Sequence, residues 1–101
     1  MRRLFLSLLI LAFATKADAW GADAFNGEVL AKRWCATCHV VSADQRQGTT
    51  QAPPFSTVAS KPDFNERALA YFLLTPHPRM PDMNLTRNEA ADLAAYVKTQ
   101  K

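Results

Sequence analysis

Two cysteines and a histidine lie close together in the order Cys35-Ala36-Thr37-Cys38-His39. This Cys-x-x-Cys-His spacing is typical of c-type haem attachment, in which two thiols form thioether bonds to the two vinyl groups of one porphyrin. The histidine that follows the second thiol can then serve as an axial ligand of the iron. The chain contains 2 cysteines in all, so no other site competes for them.

Two other kinds of site use a Cys-x-x-Cys pair. A dithiol redox motif of the thioredoxin type needs a β-strand before the pair and a βαβ unit around it. A structural zinc site needs four ligands, and therefore a second cluster of cysteines or histidines. The sequence contains neither pattern, so it favours haem attachment.

Three side chains in the C-terminal part of the chain are candidates for a second axial ligand: His77, Met80 and Met83. A thioether is a soft, neutral donor that favours ferrous iron and so gives a higher reduction potential than a second imidazole. Prolines in the same stretch hold it extended, as expected where a chain returns to the other face of a flat cofactor. The spacing alone does not choose among the three.

The N-terminus has the three parts of a secretory signal peptide. Arginines at positions 2 and 3 precede an apolar run over residues 4–13, and Ala-Asp-Ala at 17–19 offers a cleavage site. A spanning helix needs about 20 apolar residues, so a permanent anchor is disfavoured. We predict a signal peptide over residues 1–19, with a second possible cut after Ala14, and a mature periplasmic domain over residues 20–101.

The charge and size of the mature chain limit the classes of function that it can have. Without residues 1–19 it carries nine basic and eight acidic side chains, against 12 and 9 in the whole sequence. This balance does not support a nucleic-acid surface. A single domain of this size also struggles to bury enough apolar area unaided, and a covalently held porphyrin would supply a large apolar body to fold around.

The hydrophobic pattern predicts an all-α domain with three main helices and long loops around the cofactor, because no run of alternating polarity occurs. The first helix is predicted over residues 23–34, with apolar positions at Phe25, Val29 and Leu30. Residues 42–52 are polar and are predicted to form a loop.

The other two helices have start signals. Asp63 is expected to cap the second helix, which ends near Thr75 because a proline follows. Thr86 and Glu89 form a capping box for the last helix, predicted over residues 87–99. Its buried face is expected to contain four residues, with Tyr96 at its edge: Ala90, Leu93, Ala94 and Val97.

The whole mature chain resembles the class I cytochromes c. Gly27 matches the glycine of the family's first helix, where the last helix crosses closely, and Leu93 and Tyr96 match the positions that meet it. Pro53 looks like the family's proline whose carbonyl accepts a hydrogen bond from the axial histidine, with Pro54 as the alternative.

The resemblance also implies a sixth ligand. Bacterial members have a Met-Pro pair sixteen residues before the aromatic residue of the last helix, and Met80-Pro81 stands at that distance from Tyr96. It therefore implies a ligand set of His39 and Met80, with Cys35 and Cys38 as the attachment points. Ala31 departs from the longer members, which carry an aromatic residue there.

The resemblance implies one haem c per chain and a one-electron carrier between redox proteins, not an enzyme. One alternative is a dedicated haem subunit of a dehydrogenase or oxidase complex; another is a gas-binding or peroxidatic protein with an open sixth position, which Met80 argues against. A monomer is expected outside such a complex. Four basic residues are candidates for a positive rim that attracts acidic partners, or simply part of a mixed surface: Lys32, Arg33, Lys61 and Arg79.

Overall fold

Four α-helices make up the regular structure in the computed structural model of the protein, which describes residues 21–49, 51–75 and 78–101. They are α1 (Ala24–Trp34), α2 (Phe55–Ala59), α3 (Glu66–Leu74) and α4 (Arg87–Lys98). No strand occurs in these ranges, which confirms the all-α prediction. No helix within them is long and apolar enough to span a bilayer. The predicted signal peptide lies outside the described residues.

Helix α1 begins where the sequence indicates. The Asp23 carboxylate accepts hydrogen bonds from the N–H groups of Phe25 and Asn26 at 2.9 and 3.1 Å. Two of the apolar positions that support the helix prediction are not buried, because Phe25 and Val29 are 76% and 52% exposed. These two residues lie on the side of the helix opposite the buried residues Gly27, Leu30 and Ala31.

The crossing of α1 and α4 depends on Gly27. A Cβ atom at this position would lie 2.0 Å from the carbonyl oxygen of Asp92 and 2.7 Å from the Cβ of Tyr96. Only a glycine allows the two backbones to approach so closely. The buried Asp92 carboxylate reinforces the contact by accepting from the Asp23 N–H at 2.7 Å and the Asn26 side-chain amide at 2.8 Å.

Helix α4 supplies much of the core. The capping box of Thr86 and Glu89 is present in full, as predicted. The helix ends at Lys98, one residue earlier than predicted. Tyr96 is buried and not at an edge, because its ring lies in the core and its hydroxyl donates to the Val41 carbonyl at 2.7 Å.

Helix α3 starts later than the sequence analysis predicts. Its N-cap is Asn65, whose side-chain oxygen accepts from the Ala68 N–H at 2.9 Å, and not Asp63. Asp63 lies in a turn closed by the Phe64 N–H and the Lys61 carbonyl, so the first helical turn forms only beyond it. The helix packs against α4 and ends at Leu74, close to the predicted end.

The short helix α2 is absent from the sequence-based prediction. It follows Pro54, which is extended as expected, and it buries Phe55 and Ala59 against the core. Five residues are too few to show a helical repeat of apolar positions, so the pattern gives no sign of this element.

Candidate haem site

A cavity of about 830 Å³ lies between the end of α1, helices α2 to α4 and the segment that precedes α4. This volume is in the range of protein cofactor pockets. Both cysteines, His39, Pro53, Met80 and Met83 lie in its wall. The rest of the wall is largely apolar and includes Phe55, Val58, Leu69, Phe72, Leu73, Leu93 and Val97.

The Cys-x-x-Cys-His motif continues the chain directly from the C-terminus of α1. The Cys35 N–H donates to the Ala31 carbonyl, and the N–H groups of Cys38 and His39 both donate to the Cys35 carbonyl, at 3.1 and 2.8 Å. These turns bring the three side chains to one cavity. Burial, with Cys38 adding to the effect, raises the pKa of the free Cys35 thiol to about 11. The surroundings thus favour an uncharged sulfur, which a thioether provides.

The imidazole of His39 is held by a main-chain acceptor. Its Nδ1 lies 2.6 Å from the carbonyl oxygen of Pro53, so this proline and not Pro54 contacts the ring. With the proton on Nδ1, the Nε2 lone pair is available to a metal. The ring centroid lies 5.4 Å from that of Phe55, which in turn packs against Tyr96.

The segment from His39 to Phe55, here called the proximal loop, forms hydrogen bonds to the motif and within itself. The Thr49 N–H donates to the Cys38 carbonyl at 2.8 Å, and the Phe55 N–H donates to the Val40 carbonyl at 2.9 Å. Gln45 bonds to main-chain groups within the motif and just after it, at Ala36, His39 and Val41. Sequence analysis identifies only a polar loop here, since a side chain that bonds to distant main-chain groups leaves no periodic signal.

Residues 78–85, here called the distal segment, bring Met80 and Met83 into the same cavity. Because both methionines lie in the cavity wall, their positions do not decide which thioether is the ligand. Asn84 adopts a left-handed backbone conformation with a φ of 51°, and its N–H donates to the Asp82 carboxylate at 2.9 Å. The third candidate ligand, His77, lies outside the described residues.

Positive charge is present at the cavity. Lys61 and Arg79 lie in its wall. The Arg33 guanidinium lies 5.1 Å from the ring centroid of Trp34, which is itself in the wall and 42% exposed. Lys32 instead pairs with Glu28 at 2.9 Å on the surface of α1. Three of the four predicted rim residues are therefore at or beside the cavity.

Comparison with known proteins agrees with this geometry. The model of the family described as Cytochrome c matches residues 24–101. The chain belongs to the cytochrome c family. Members bind covalently attached haem c and carry electrons, so the cofactor predicted from the motif and the general activity implied by the resemblance are confirmed. The resemblance to class I cytochromes c is confirmed at the level of the family.

One curated relative of this cytochrome is Cytochrome c-552 from Bradyrhizobium diazoefficiens, which is 51% identical over 90 residues. The match covers 88% of this chain and 86% of the relative. No solved structure matches the chain. The residues of the cavity fit haem c, because one apolar chamber contains two thiols, an imidazole with a fixed tautomer and two thioethers.

Proposed function

We propose that this cytochrome is a periplasmic one-electron carrier with thioether attachment at Cys35 and Cys38 and with His39 and Met80 as axial ligands. The observation that supports this most directly is the shared cavity, whose wall contains all four side chains although Met80 is 41 residues from His39. Bound haem supplies a one-electron couple between Fe(II) and Fe(III).

The surrounding residues orient His39 for its proposed role as an axial ligand. The Pro53 carbonyl, 2.6 Å from Nδ1, holds the proton on that nitrogen and leaves Nε2 as the donor. A hydrogen bond of this kind also makes the imidazole a stronger ligand. The neighbouring Phe55 ring restricts rotation of the imidazole, so the donor geometry needs little rearrangement during electron transfer.

Met80 is the proposed sixth ligand because of its place in the sequence. It precedes Pro81 and stands sixteen residues before Tyr96, which is the arrangement of the bacterial family members it resembles. Its thioether is neutral and soft, so it favours the ferrous state. Phe72 and Leu73 are apolar residues of the same cavity wall.

The ligand assignment is tested with two matched variants, Met80→Ala and Met83→Ala. Ferric cytochromes with iron–thioether ligation show a weak near-infrared charge-transfer band. We expect Met80→Ala to abolish this band and to allow added imidazole to bind, whereas Met83→Ala retains it. Loss of the band in Met83→Ala and its survival in Met80→Ala would assign the ligand to Met83.

Export is supported by the N-terminal sequence, in which two arginines precede the apolar run and an Ala-x-Ala site. Mass spectrometry of the protein from its native host is expected to show a chain that begins at Trp20 and carries one haem. A mass that includes residues 4–13 would instead indicate an uncleaved anchor.

A second candidate function, a dedicated haem subunit of a larger complex, is favoured by the exposed apolar side chains. Phe25 and Tyr71 are 76% and 73% exposed, and Val29 lies one turn from Phe25 on α1. Size-exclusion chromatography of a fresh periplasmic extract, followed by haem absorbance, separates the two functions. A free carrier elutes at the size of one chain, whereas a subunit elutes with its complex.

A further inference from the structure

The side-chain amide of Gln45 lies inside the proximal loop and bonds to four main-chain groups. Its Oε1 accepts from the Val41 N–H at 3.0 Å. Its Nε2 lies 2.9 Å from the Ala36 carbonyl oxygen, 2.7 Å from that of His39 and 2.8 Å from that of Gln47. A primary amide has two N–H groups, so the three oxygens share them.

The partners of Gln45 fix the orientation of its amide. A reversed amide would place its oxygen against three carbonyl oxygens and its NH₂ group against the Val41 N–H. Both contacts would be repulsive. The donor side of the amide therefore faces the haem motif, and the acceptor side faces the chain beyond it.

Two of the bonded carbonyls belong to the haem motif itself. Ala36 lies between the two cysteines, and His39 is the proposed axial ligand. The other polar groups of His39 are already bonded, since its N–H donates to the Cys35 carbonyl at 2.8 Å and its Nδ1 lies 2.6 Å from the Pro53 carbonyl. Gln45 holds the remaining one, so every polar group of His39 except Nε2 has a partner.

We infer that Gln45 is a positioning residue that sets the angle of the His39 imidazole about the iron, a role that rests on the proposed function. The His39 main chain is clamped between α1 and Gln45, and its ring is clamped by Pro53. Loss of the amide removes one of the two main-chain hydrogen bonds of His39 while the ring contact remains. The ring plane then turns about its bond to Pro53.

The angle of the axial imidazole is measurable because, together with the orientation of the thioether ligand, it determines how unpaired spin is distributed over the ferric porphyrin. The paramagnetically shifted NMR signals of the four haem methyl groups report that distribution. A loop that is merely less stable leaves the methyl pattern of the folded protein unchanged. The pattern therefore distinguishes a positioning role from a structural one.

The experiment compares Gln45→Met, which removes the amide at similar length, with Gln45→Glu, which keeps an acceptor for Val41 but has no donor when ionised. Gln47→Met is the matched control, since Gln47 contributes its main-chain carbonyl, which the substitution leaves in place. Tyr96→Phe is the stability control, because it loosens the same loop through the Val41 carbonyl and not through His39.

We expect both Gln45 variants to redistribute the haem methyl shifts and to change the reduction potential, while Gln47→Met and Tyr96→Phe keep the wild-type pattern. An unchanged pattern in Gln45→Met would overturn the inference. An equal change in Tyr96→Phe would overturn it too, since loop stability would then be the cause.

One measurement needs no variant. In the ferrous wild-type protein, the side-chain NH₂ protons of Gln45 are expected to exchange with solvent far more slowly than those of Gln47. Exchange at the same rate would overturn the inference even where both variants fail to fold. The ferric wild-type spectrum also shows whether the His39 ring signals carry the shifts of an axial ligand. Their absence would overturn the proposed function itself, whereas a failure of Gln45 alone leaves that ligation intact.

Discussion

The proximal loop and the distal segment both carry a proposed ligand of the iron, but they are held in different ways. The proximal loop forms hydrogen bonds both to the rest of the protein and within itself, and Gln45 alone makes four of these bonds. In the distal segment, no backbone-to-backbone hydrogen bond joins one described residue to another. Its Asn84 N–H is instead satisfied by the nearby Asp82 side chain.

This difference indicates what fixes the position of each proposed ligand. The polypeptide itself fixes His39, since its main chain and ring are bonded on three sides. In our proposal, the position of Met80 depends much more on its bond to the iron and on contact with the porphyrin. Changes in the proximal loop should therefore lower stability, whereas changes in the distal segment should cause little loss of stability.

The largest effect is expected from a change at the crossing of α1 and α4, because both regions depend on this helix packing. Gly27→Ala places a Cβ 2.0 Å from the Asp92 carbonyl oxygen, a backbone atom that cannot move aside unless α1 and α4 separate. We expect the free energy of unfolding to fall by more than about 3 kcal/mol, at the upper end of overpacking effects. Guanidinium unfolding followed by haem absorbance measures the loss.

Gly21→Ala is the control for this substitution, since nothing lies within 4 Å of the added atom. It is expected to change the free energy of unfolding by less than about 0.5 kcal/mol. If Gly27→Ala lowered the free energy of unfolding by less than about 1 kcal/mol, the two regions would not depend on the close crossing of α1 and α4.

The proximal loop is tested by Gly48→Ala. The new Cβ would lie 2.7 Å from the Cys38 carbonyl oxygen and 3.1 Å from the carbonyl carbon of His39. We expect a loss of about 1–3 kcal/mol in the free energy of unfolding, because the neighbouring atoms are backbone and cannot rotate away. A shifted haem spectrum should accompany it, and an unchanged stability would contradict a tightly constrained loop.

The parts of this structure that the sequence predicted are those with strong local or periodic signals. The Thr86–Glu89 box marked the start of α4, because capping is a short-range hydrogen bond between fixed positions. The crossing at Gly27 was predictable from the family resemblance, and the haem motif from its spacing.

The parts that were missed depend on contacts between distant residues. Phe25 and Val29 fit a helical pattern of apolar residues, but only the position of α4 decides which side of α1 is buried. Asn65 and Asp63 are equally good caps by residue type, so the turn at residues 61–64 determines that Asn65 caps α3. The contacts of Gln45 likewise follow from the path of the whole loop.

A smaller effect is expected from Tyr96→Phe, which removes the hydroxyl that donates to the Val41 carbonyl at 2.7 Å. The buried carbonyl loses its partner, so the free energy of unfolding should fall by about 1–2 kcal/mol. Equilibrium unfolding at neutral pH measures this. A neutral result would show that water replaces the hydroxyl and that the proximal loop is less closed than its bonds indicate.

The same residue predicts an alkaline pH dependence. Burial, and then the charge of Glu28, raise the pKa of Tyr96 above its ordinary value of about 10, with Asp44 adding to the rise and Lys32 opposing it. The folded state then holds the proton more tightly than the unfolded state. This stabilisation is complete below about pH 10 and is lost as the pH rises through the pKa of the folded protein. Tyr96→Phe should therefore show a shallower fall in stability above pH 10.

The smallest effect should come from the distal segment, at Asn84. Its φ of 51° is left-handed, which glycine adopts freely and alanine adopts at a cost of about 1 kcal/mol. The bond to Asp82 uses the Asn84 main-chain N–H and survives either change. Asn84→Gly should thus leave stability within about 0.5 kcal/mol of wild type, and Asn84→Ala should lower it by about 1 kcal/mol, with the near-infrared band retained in both. If Asn84→Gly lost as much stability as Gly48→Ala, the distal segment would be as constrained as the proximal loop, and the iron would not be needed to hold Met80.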